Sequence, residues 1–183
     1  MASFKPTRSQ RRNLRKNSDL RVEVEPARFT HRHYQVYERY ISMRHADGDM
    51  YPASEDQFRS FLLCTWATTL FVCLYDGERL LSVAVTDQLD DGLSAVYTFF
   101  EPTEQSRGLG VYSILQQIEL SKALSLSHVY LGYWIKESAK MNYKSQSITN
   151  KFATQVSTGN SVATPGSGAK IHSLASHMAT CGD

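Results

Sequence analysis

The stretch TTLFVCLYDGERLLSVAVTDQLDDGLSAVYTFF, residues 68–100, decides the fold of this chain. It consists of three runs rich in Val, Leu, Phe and Tyr, separated by the short polar segments DGE and DDG. Apolar runs of this length divided by glycine-containing turns are typical of antiparallel hairpins, in which the glycine adopts a positive φ. The stretch therefore predicts a three-stranded antiparallel meander with a glycine of positive φ in each turn.

Helical patterns flank this meander. THRHYQVYERYISMRHA, residues 30–46, carries apolar and aromatic side chains at helical spacing, and SEDQFRSFLL, residues 54–63, opens with the spacing of a capping box. A third helix is predicted over residues 109–124, and HVYLGYWI, residues 128–135, reads as a strand. This order predicts an α+β fold, with a mainly antiparallel sheet flanked by helices.

Length and composition limit the remaining possibilities. The 183 residues, 42% of them hydrophobic, suffice for one compact domain, and no apolar run reaches the roughly 18 residues of a membrane span. We expect a soluble, cytoplasmic protein without a membrane partner. The three cysteines are an odd number, and Cys64 and Cys73 lie in apolar runs that favour packed, reduced thiols. The sequence indicates neither disulfides nor a metal site.

The first 28 residues form a basic arm that precedes the predicted body at 29–146. If TRSQRRNLRK is helical, four arginines share one face at i, i+3, i+4 and i+7, a stripe suited to a phosphate backbone. The candidate phosphate ligands are Arg8, Arg11, Arg12, Arg15 and Lys16. Composition alone is equally compatible with a solvated, disordered leader.

From residue 147 to residue 183 the composition shifts to Ser, Thr, Gly and Ala. Such a segment buries too little apolar surface to offset its loss of conformational entropy on folding. We expect this low-complexity tail to be disordered.

The segment QSRGLG, residues 105–110, lies between the last strand of the meander and the third helix. A glycine-rich turn at a helix N-terminus exposes backbone N–H groups that can hold an anion. Such a turn more often only reverses the chain. The candidate residues of an acyl or phosphate loop are Gln105, Arg107, Gly108 and Gly110.

YLGYWIKESAKMNYK, residues 130–144, begins as a strand and then becomes basic. Lys136, Lys140 and Lys144 fall within nine residues, with Tyr143 beside the last of them. A solvated turn is the alternative for Lys136 and Lys140, but a wall of a binding cleft accounts for all three lysines and is favoured.

Three of these segments, together with the 109–124 helix between the second and the third, resemble one family in their order and their sequence. PTRSQRRNLRKNSDL, HYQVYERYISMRHADGDM and YLGYWIKESAKMNYK are similar to the aminoacyl-tRNA–protein transferases, and most nearly to the bacterial aspartate/glutamate leucyltransferases. The resemblance covers residues 4 to about 146. It implies a GNAT-like acyltransferase domain that moves an amino acid from a charged tRNA to a protein beginning with Asp or Glu, marking that protein for degradation by the N-end rule.

The resemblance implies roles for particular residues. Lys144, Lys140 and Arg44 are candidates for binding the acidic first side chain of the acceptor. His45 and Tyr143 are the candidate catalytic residues, because a base must take the proton of the attacking amine.

Other groups remain open for the same chemistry. His33 and Glu101 are equally able to act as the base, and the residues alone do not decide among the four. Backbone N–H groups near Tyr97 to Phe99 are expected to stabilise the oxyanion. No cofactor beyond the aminoacyl-tRNA donor is expected.

The sequence departs from the family pattern at both ends. Members normally carry an N-terminal domain with a cysteine cluster, and this chain begins where that domain should end; after KSQ, residues 144–146, the pattern is lost. Two alternatives therefore stay open: an acyltransferase that uses acyl-coenzyme A, and an inactive fragment that only binds tRNA. The donated amino acid is expected to be Leu, with Arg as the alternative.

Overall fold

A computed structural model describes residues 4–63 and 67–131 of the chain. Its elements follow the predicted order, with a helix and a strand added at the N-terminal end. The helices are α1 (Arg8–Lys16), α2 (His31–Arg44), α3 (Glu55–Leu62) and α4 (Leu109–Ala123), with a 3₁₀ helix over Pro102–Arg107. The strands are β1 (Arg21–Pro26), β2 (Thr68–Asp76), β3 (Arg79–Gln88), β4 (Gly92–Phe100) and β5 (His128–Tyr130).

The strands form one sheet in the order β1-β2-β3-β4-β5. Strands β1 to β4 are antiparallel, and β5 runs parallel to β4, pairing with it from Gly92 to Ser94. The meander and the mixed α+β architecture predicted from the sequence are confirmed. The helix that connects β4 to β5 is the crossover that a parallel pair requires.

Helices cover both faces of this sheet. On one face α2 and α3 bury Tyr37, Ile41 and Phe58 against Phe71 of β2 and Phe99 of β4. On the other face α4 packs through Leu109 and Tyr112 against apolar side chains of β2 and β3, and Leu14 of α1 joins this cluster. The sheet is thus the middle layer of three, which is the usual way for a sheet and its helices to bury their apolar surfaces.

Strand β1 is the main difference from the sequence-based expectation. Its residues were assigned to the basic arm, yet Arg21–Pro26 pairs with β2 as the edge strand of the sheet. Leu20, immediately before it, is buried. The basic segment is therefore a docked helix followed by a strand, which corrects both the boundary at residue 28 and the alternative of a disordered leader.

The glycines in the two hairpin turns have different structural roles. Gly77 adopts φ 55° between β2 and β3, as predicted. Gly92 is the first residue of β4 and is absent from the positive-φ glycines of the described residues, so that prediction was wrong. A Cβ at Gly92 would lie 2.7 Å from the carbonyl oxygen of His128, so the glycine there permits the close approach of β5.

Several predictions fall outside the described residues. Tyr143, Lys136, Lys140, Lys144, Cys64 and the tail from residue 147 are among them. Cys73 is described and buried, as its apolar run indicates. Within the described ranges, none of the helices has the length and apolar character needed to cross a membrane.

Candidate functional site

The basic helix α1 is fixed to the turn that precedes α4. Its N-terminus is closed by a capping box between Thr7 and Gln10. The side-chain amide of Asn13 donates to the carbonyl oxygens of Arg107 at 3.0 Å and Gly108 at 3.2 Å. The amide of Asn17, which is fully buried, donates to the carbonyl oxygen of Arg107 at 3.0 Å. Buried amide-to-carbonyl bonds of this kind hold the helix in one place.

The arginine stripe faces solvent in this arrangement. Arg8, Arg11, Arg12 and Arg15 are exposed, as a phosphate-binding surface requires. Among the described residues, Arg8, Arg12 and Arg15 have no carboxylate within salt-bridge distance. Lys16, predicted to join the stripe, donates instead to the carbonyl oxygen of Ser106 at 2.5 Å. Cations without an internal partner are available to an external anion.

Gly108 and Arg107 have structural roles in the predicted phosphate loop. Gly108 precedes α4 with φ 64°, and a Cβ there would lie 2.9 Å from the Asn13 amide nitrogen. Glycine is thus needed both for the backbone conformation and for the docking of α1. The guanidinium of Arg107 pairs with Asp19 at 3.0 Å, with Glu104 at 3.4 Å and with Asp76 at 3.8 Å. In this arrangement Arg107 cross-links the turn to the body.

The other two loop residues have no such internal role. Gln105 is exposed, and Gly110 lies in the first turn of α4. A Cβ at Gly110 would lie 3.9 Å from Cε1 of Phe100, so the start of α4 adjoins the aromatic end of β4.

Arg44 and His45 lie at the C-terminal end of α2, beside this same aromatic end. The guanidinium carbon of Arg44 lies 5.3 Å from the ring centroid of Phe100. The ring of Tyr40 lies 4.9 Å from that of Phe100 and 5.1 Å from that of His45. A cation that packs against an aromatic face keeps its charge, and the contact restricts the movement of its side chain. A cation and an imidazole are thus held together on an aromatic shelf formed by Tyr40, Tyr97 and Phe100.

Strand β4 is irregular next to this shelf. Thr86 of β3 faces Ala95, whereas Val85 faces Tyr97, so Val96 is an extra residue that makes a β-bulge. Within the described part of the chain, the pairing of β4 with β5 ends at Ser94. The backbone near Tyr97 to Phe99, expected to stabilise the oxyanion, therefore directly follows a bulge, and among the described residues it pairs with β3 only.

The structure separates the predicted bases. His45 is part-exposed on the shelf, whereas His33 is buried at the other end of α2, with its ring 5.1 Å from that of Phe71. Glu101 is buried and accepts two hydrogen bonds from Nε of Arg39, at 3.0 and 3.2 Å. This carboxylate is therefore already engaged in an ion pair with Arg39. Of the described candidates, His45 alone is partly exposed and adjoins the aromatic shelf.

Sequence reasoning missed the side chains that build this site. Asn13 and Asn17 are polar residues within a basic segment and carry no recognisable motif. Phe100 and Tyr97 belong to the aromatic run YTFF, which was interpreted as a strand with oxyanion-binding backbone, so no role was assigned to its side chains. That run was the one signal in the sequence for these two side chains.

A family model described as arginine-tRNA-protein transferase, C terminus, matches residues 32–153, which are two thirds of the chain. The chain belongs to the arginine-tRNA-protein transferase family. The match begins in α2 and includes the shelf, the bulged strand and the turn before α4. The N-terminal helix α1 lies before the matched residues.

Curated relatives agree with this membership and extend the similarity to most of the chain. An aspartate/glutamate leucyltransferase of Alcanivorax borkumensis is 56% identical over 143 residues, which are 78% of this chain and 59% of the relative. Proteins of the same name are 54% identical over 147 residues in Acinetobacter baumannii and over 143 residues in Saccharophagus degradans, covering 54% and 61% of those proteins. The chain therefore spans little more than half the length of these transferase-family relatives.

Replacing Asn17 tests whether the side-chain amides hold α1 on the turn before α4. Asn17→Ala removes two hydrogen bonds, to the carbonyl oxygens of Asn13 and Arg107, both 3.0 Å long. We expect the free energy of unfolding, measured by urea titration, to fall by about 1–3 kcal/mol.

Ser18→Ala is the matched control. Its hydroxyl donates to the carbonyl oxygen of Arg15 at an exposed position, so the expected loss is below about 0.5 kcal/mol. Equal losses in the two variants would show that the buried amide of Asn17 contributes no more to the free energy of unfolding than an exposed hydroxyl.

Proposed function

We propose that this chain carries a GNAT-like acyltransferase domain that transfers leucine from aminoacyl-tRNA to the N-terminus of proteins beginning with Asp or Glu. The observation that carries the proposal is the fixed position of an exposed arginine stripe beside the turn before α4, next to a shelf with Arg44 and His45. The relatives named aspartate/glutamate leucyltransferase supply the reaction. In cells the product would carry a destabilising N-terminus and enter N-end rule degradation.

The arginine stripe suits the donor, because a tRNA presents phosphates at regular spacing. Arg8 and Arg15 are seven residues apart, which corresponds to about 10 Å along a helix axis. Each exposed guanidinium offers a planar fork of donors to phosphate oxygens. Since α1 is held by Asn13 and Asn17, these donors are ordered before tRNA arrives, and less conformational entropy is lost on binding.

The reaction requires little from the protein beyond positioning the acceptor amine near the carbonyl carbon of the aminoacyl ester. The acceptor's amine nitrogen attacks the carbonyl carbon of the aminoacyl ester, the ester C–O bond breaks, and the ribose hydroxyl leaves with a proton. Positioning alone supplies on the order of 7–11 kcal/mol in favourable cases. His45 is the described group best suited to take the amine proton, and Tyr143 remains the candidate outside the described residues.

The acceptor's acidic side chain needs a positive partner. Arg44, ordered against Phe100, is the cation of the described residues that adjoins His45. Lys140 and Lys144 lie outside those residues and stay predictions for the same role. A charge-assisted hydrogen bond from any of them favours Asp or Glu over a neutral first residue.

The GNAT-like fold is supported by three features of β4 and its neighbours. They are the bulge at Val96, the parallel pairing with β5, and the glycine-containing turn that leads into α4. A bulge in β4 together with the N-terminus of α4 is the place where an acyl group and its developing oxyanion would be bound.

A transfer assay tests the proposed reaction. The chain is mixed with tRNA charged with radiolabelled leucine, and with peptides that begin with Asp, Glu, Lys or Ala. We expect label in the Asp and Glu peptides only. Parallel reactions with arginyl-tRNA and with acetyl-coenzyme A identify the donor. Transfer from acetyl-coenzyme A without tRNA, or no transfer from either charged tRNA, would contradict the proposal.

Arg44→Ala tests the acceptor site. Loss of a charge-assisted hydrogen bond worth roughly 1.5–3 kcal/mol lowers kcat/KM toward acidic acceptors by about tenfold or more, with tRNA affinity unchanged. Met43→Ala is the control, because Met43 is the adjacent residue and is 63% exposed. Lys144→Ala is measured beside them. If Arg44→Ala and Lys144→Ala both match the parent on Asp and Glu peptides, neither side chain recognises the acceptor.

The arginine stripe is tested by salt dependence. Replacing Arg8, Arg12 and Arg15 together by Ala removes three phosphate contacts. The slope of log K against log salt concentration for tRNA binding then becomes shallower by about 2–3.

The control triple variant changes Arg21, Arg59 and Arg79, which pair with Glu23, Glu55 and Glu104. It removes the same formal charge, and we expect the parent slope. Identical slopes in the two triple variants would show that the tRNA is not bound through the stripe.

A further inference from the structure

Three side chains with metal-ligand chemistry meet between β1, β2 and the first turn of α2. The thiol sulfur of Cys73 lies 3.2 Å from Oε1 of Glu25 and 3.8 Å from Nε2 of His33. Nε2 of His33 lies 3.4 Å from the same Oε1. His33 and Cys73 are buried, and Glu25 is partly exposed at the edge of the sheet. Each side chain points one donor atom toward a common centre.

The three separations match the edges of a tetrahedral metal site. A divalent zinc ion binds sulfur at about 2.3 Å and nitrogen or oxygen at about 2.0–2.1 Å, so neighbouring ligand atoms are about 3.4–3.6 Å apart. The observed edges of 3.2, 3.4 and 3.8 Å surround these values. A cation fits between the three atoms with little movement of their side chains.

The hydrogen bonding of His33 orients the ring for coordination. Nδ1 lies 3.3 Å from the carbonyl oxygen of Arg28, which can only accept, so Nδ1 carries the ring proton. Nε2 then presents a lone pair to the Glu25 carboxylate and the sulfur. A histidine held at one nitrogen by a carbonyl while the other faces a carboxylate and a thiol is the usual arrangement around a metal.

Charge also balances in such a site. When the metal binds, the Cys73 thiol loses its proton to solvent, and the resulting thiolate and the Glu25 carboxylate together cancel the two positive charges of the ion. The neutral His33 adds no charge. A neutral cluster avoids the desolvation cost of an uncompensated buried ion. The side chain of Glu25 is 21% exposed, so this ligand lies next to solvent.

We propose that Glu25, His33 and Cys73 bind a divalent first-row metal ion, zinc, with solvent at the fourth position. The proposed metal site is distinct from the aromatic shelf, because His33 lies in the first turn of α2, whereas Arg44 and His45 lie at the other end of that helix. It ties the edge strand that follows the basic helix to β2 and α2. The metal stabilises the fold and takes no part in the transfer of the amino acid.

The sequence alone indicated no metal site, since its ligands do not form a motif. Eight residues separate Glu25 from His33, and forty separate His33 from Cys73. Pairing of β1 with β2 and packing of α2 on the sheet bring them together.

Cobalt binding tests the proposal on the whole chain, freed of metal with a chelator. Titration with Co²⁺ alone is expected to give one equivalent of binding, a sulfur-to-cobalt charge-transfer band and the visible bands of tetrahedral cobalt. Zn²⁺ should displace it. At a free concentration 100-fold above its Kd, Zn²⁺ should raise the melting temperature by about 5 °C or more.

Matched variants assign the ligands. Cys73→Ser removes the charge-transfer band, and His33→Gln and Glu25→Gln each weaken Co²⁺ binding at least tenfold. Cys64→Ser and Glu23→Gln are controls that keep the band and the affinity, since Glu23 lies on the same strand but outside the cluster. Glu25→Gln changes a partly exposed group, so it remains informative if a buried variant does not fold.

Three results would overturn the proposal: no charge-transfer band in the parent, a band that persists in Cys73→Ser, or a melting temperature that Zn²⁺ does not raise. In the first case the thiol of Cys73 simply donates a hydrogen bond to Glu25. In the second the cobalt binds another cysteine. Parent-like affinity in both His33→Gln and Glu25→Gln would equally remove these two residues as ligands.

Discussion

The arrangement of the site depends on two asparagine side chains that bind the backbone of one turn. Asn13 and Asn17 donate to the carbonyl oxygens of Arg107 and Gly108, residues about ninety positions away in the chain. A helix of nine residues with four exposed arginines on one face is marginal in water by itself. These bonds, with the packing of Leu14, make it part of the fold. They also make Gly108 necessary, because a side chain there would occupy the space of the Asn13 amide.

The sheet then connects the basic helix with the candidate reaction centre. Phe100, the last residue of β4, lies between Gly110 at the start of α4 and the pair formed by Tyr40 and Arg44 at the end of α2. One ring thus sets the distance between a helix N-terminus and a cation. Electrostatic groups that are ordered before the substrate binds are the main source of catalytic power in acyl transfer. In this chain the order comes from aromatic packing.

Local patterns in the sequence were sufficient for most of the fold. The meander, α2, α3 and α4 were predicted because hydrophobic periodicity and capping residues act over a few positions. Strand β1 was missed because RVEVEP is short, charged and proline-terminated, and it is a strand only by pairing with β2 some fifty residues later. Gly92 was misread because its role depends on the approach of His128, which a turn pattern does not contain.

The site was less predictable than the fold, for the same reason. The arginine stripe, Arg44 and His45 were predicted from spacing and from resemblance, and their roles stay predictions. Arg107 was predicted to line a phosphate loop, and the sequence did not indicate the three carboxylates that pair with it. Those carboxylates come from β1's leading turn, the end of β2 and the 3₁₀ helix. Contacts between such distant segments follow from topology, which the one-dimensional pattern does not specify.

Amide hydrogen exchange of α1 tests the central claim most directly. Because an isolated nine-residue helix is mostly unfolded, protection of the amides of residues 12–16 in the free chain reports docking on the turn. The account predicts that these amides exchange at least about tenfold more slowly than in an unstructured peptide, with no tRNA present. Exchange at the unstructured rate would contradict it, because the stripe would then be a mobile arm rather than an ordered surface.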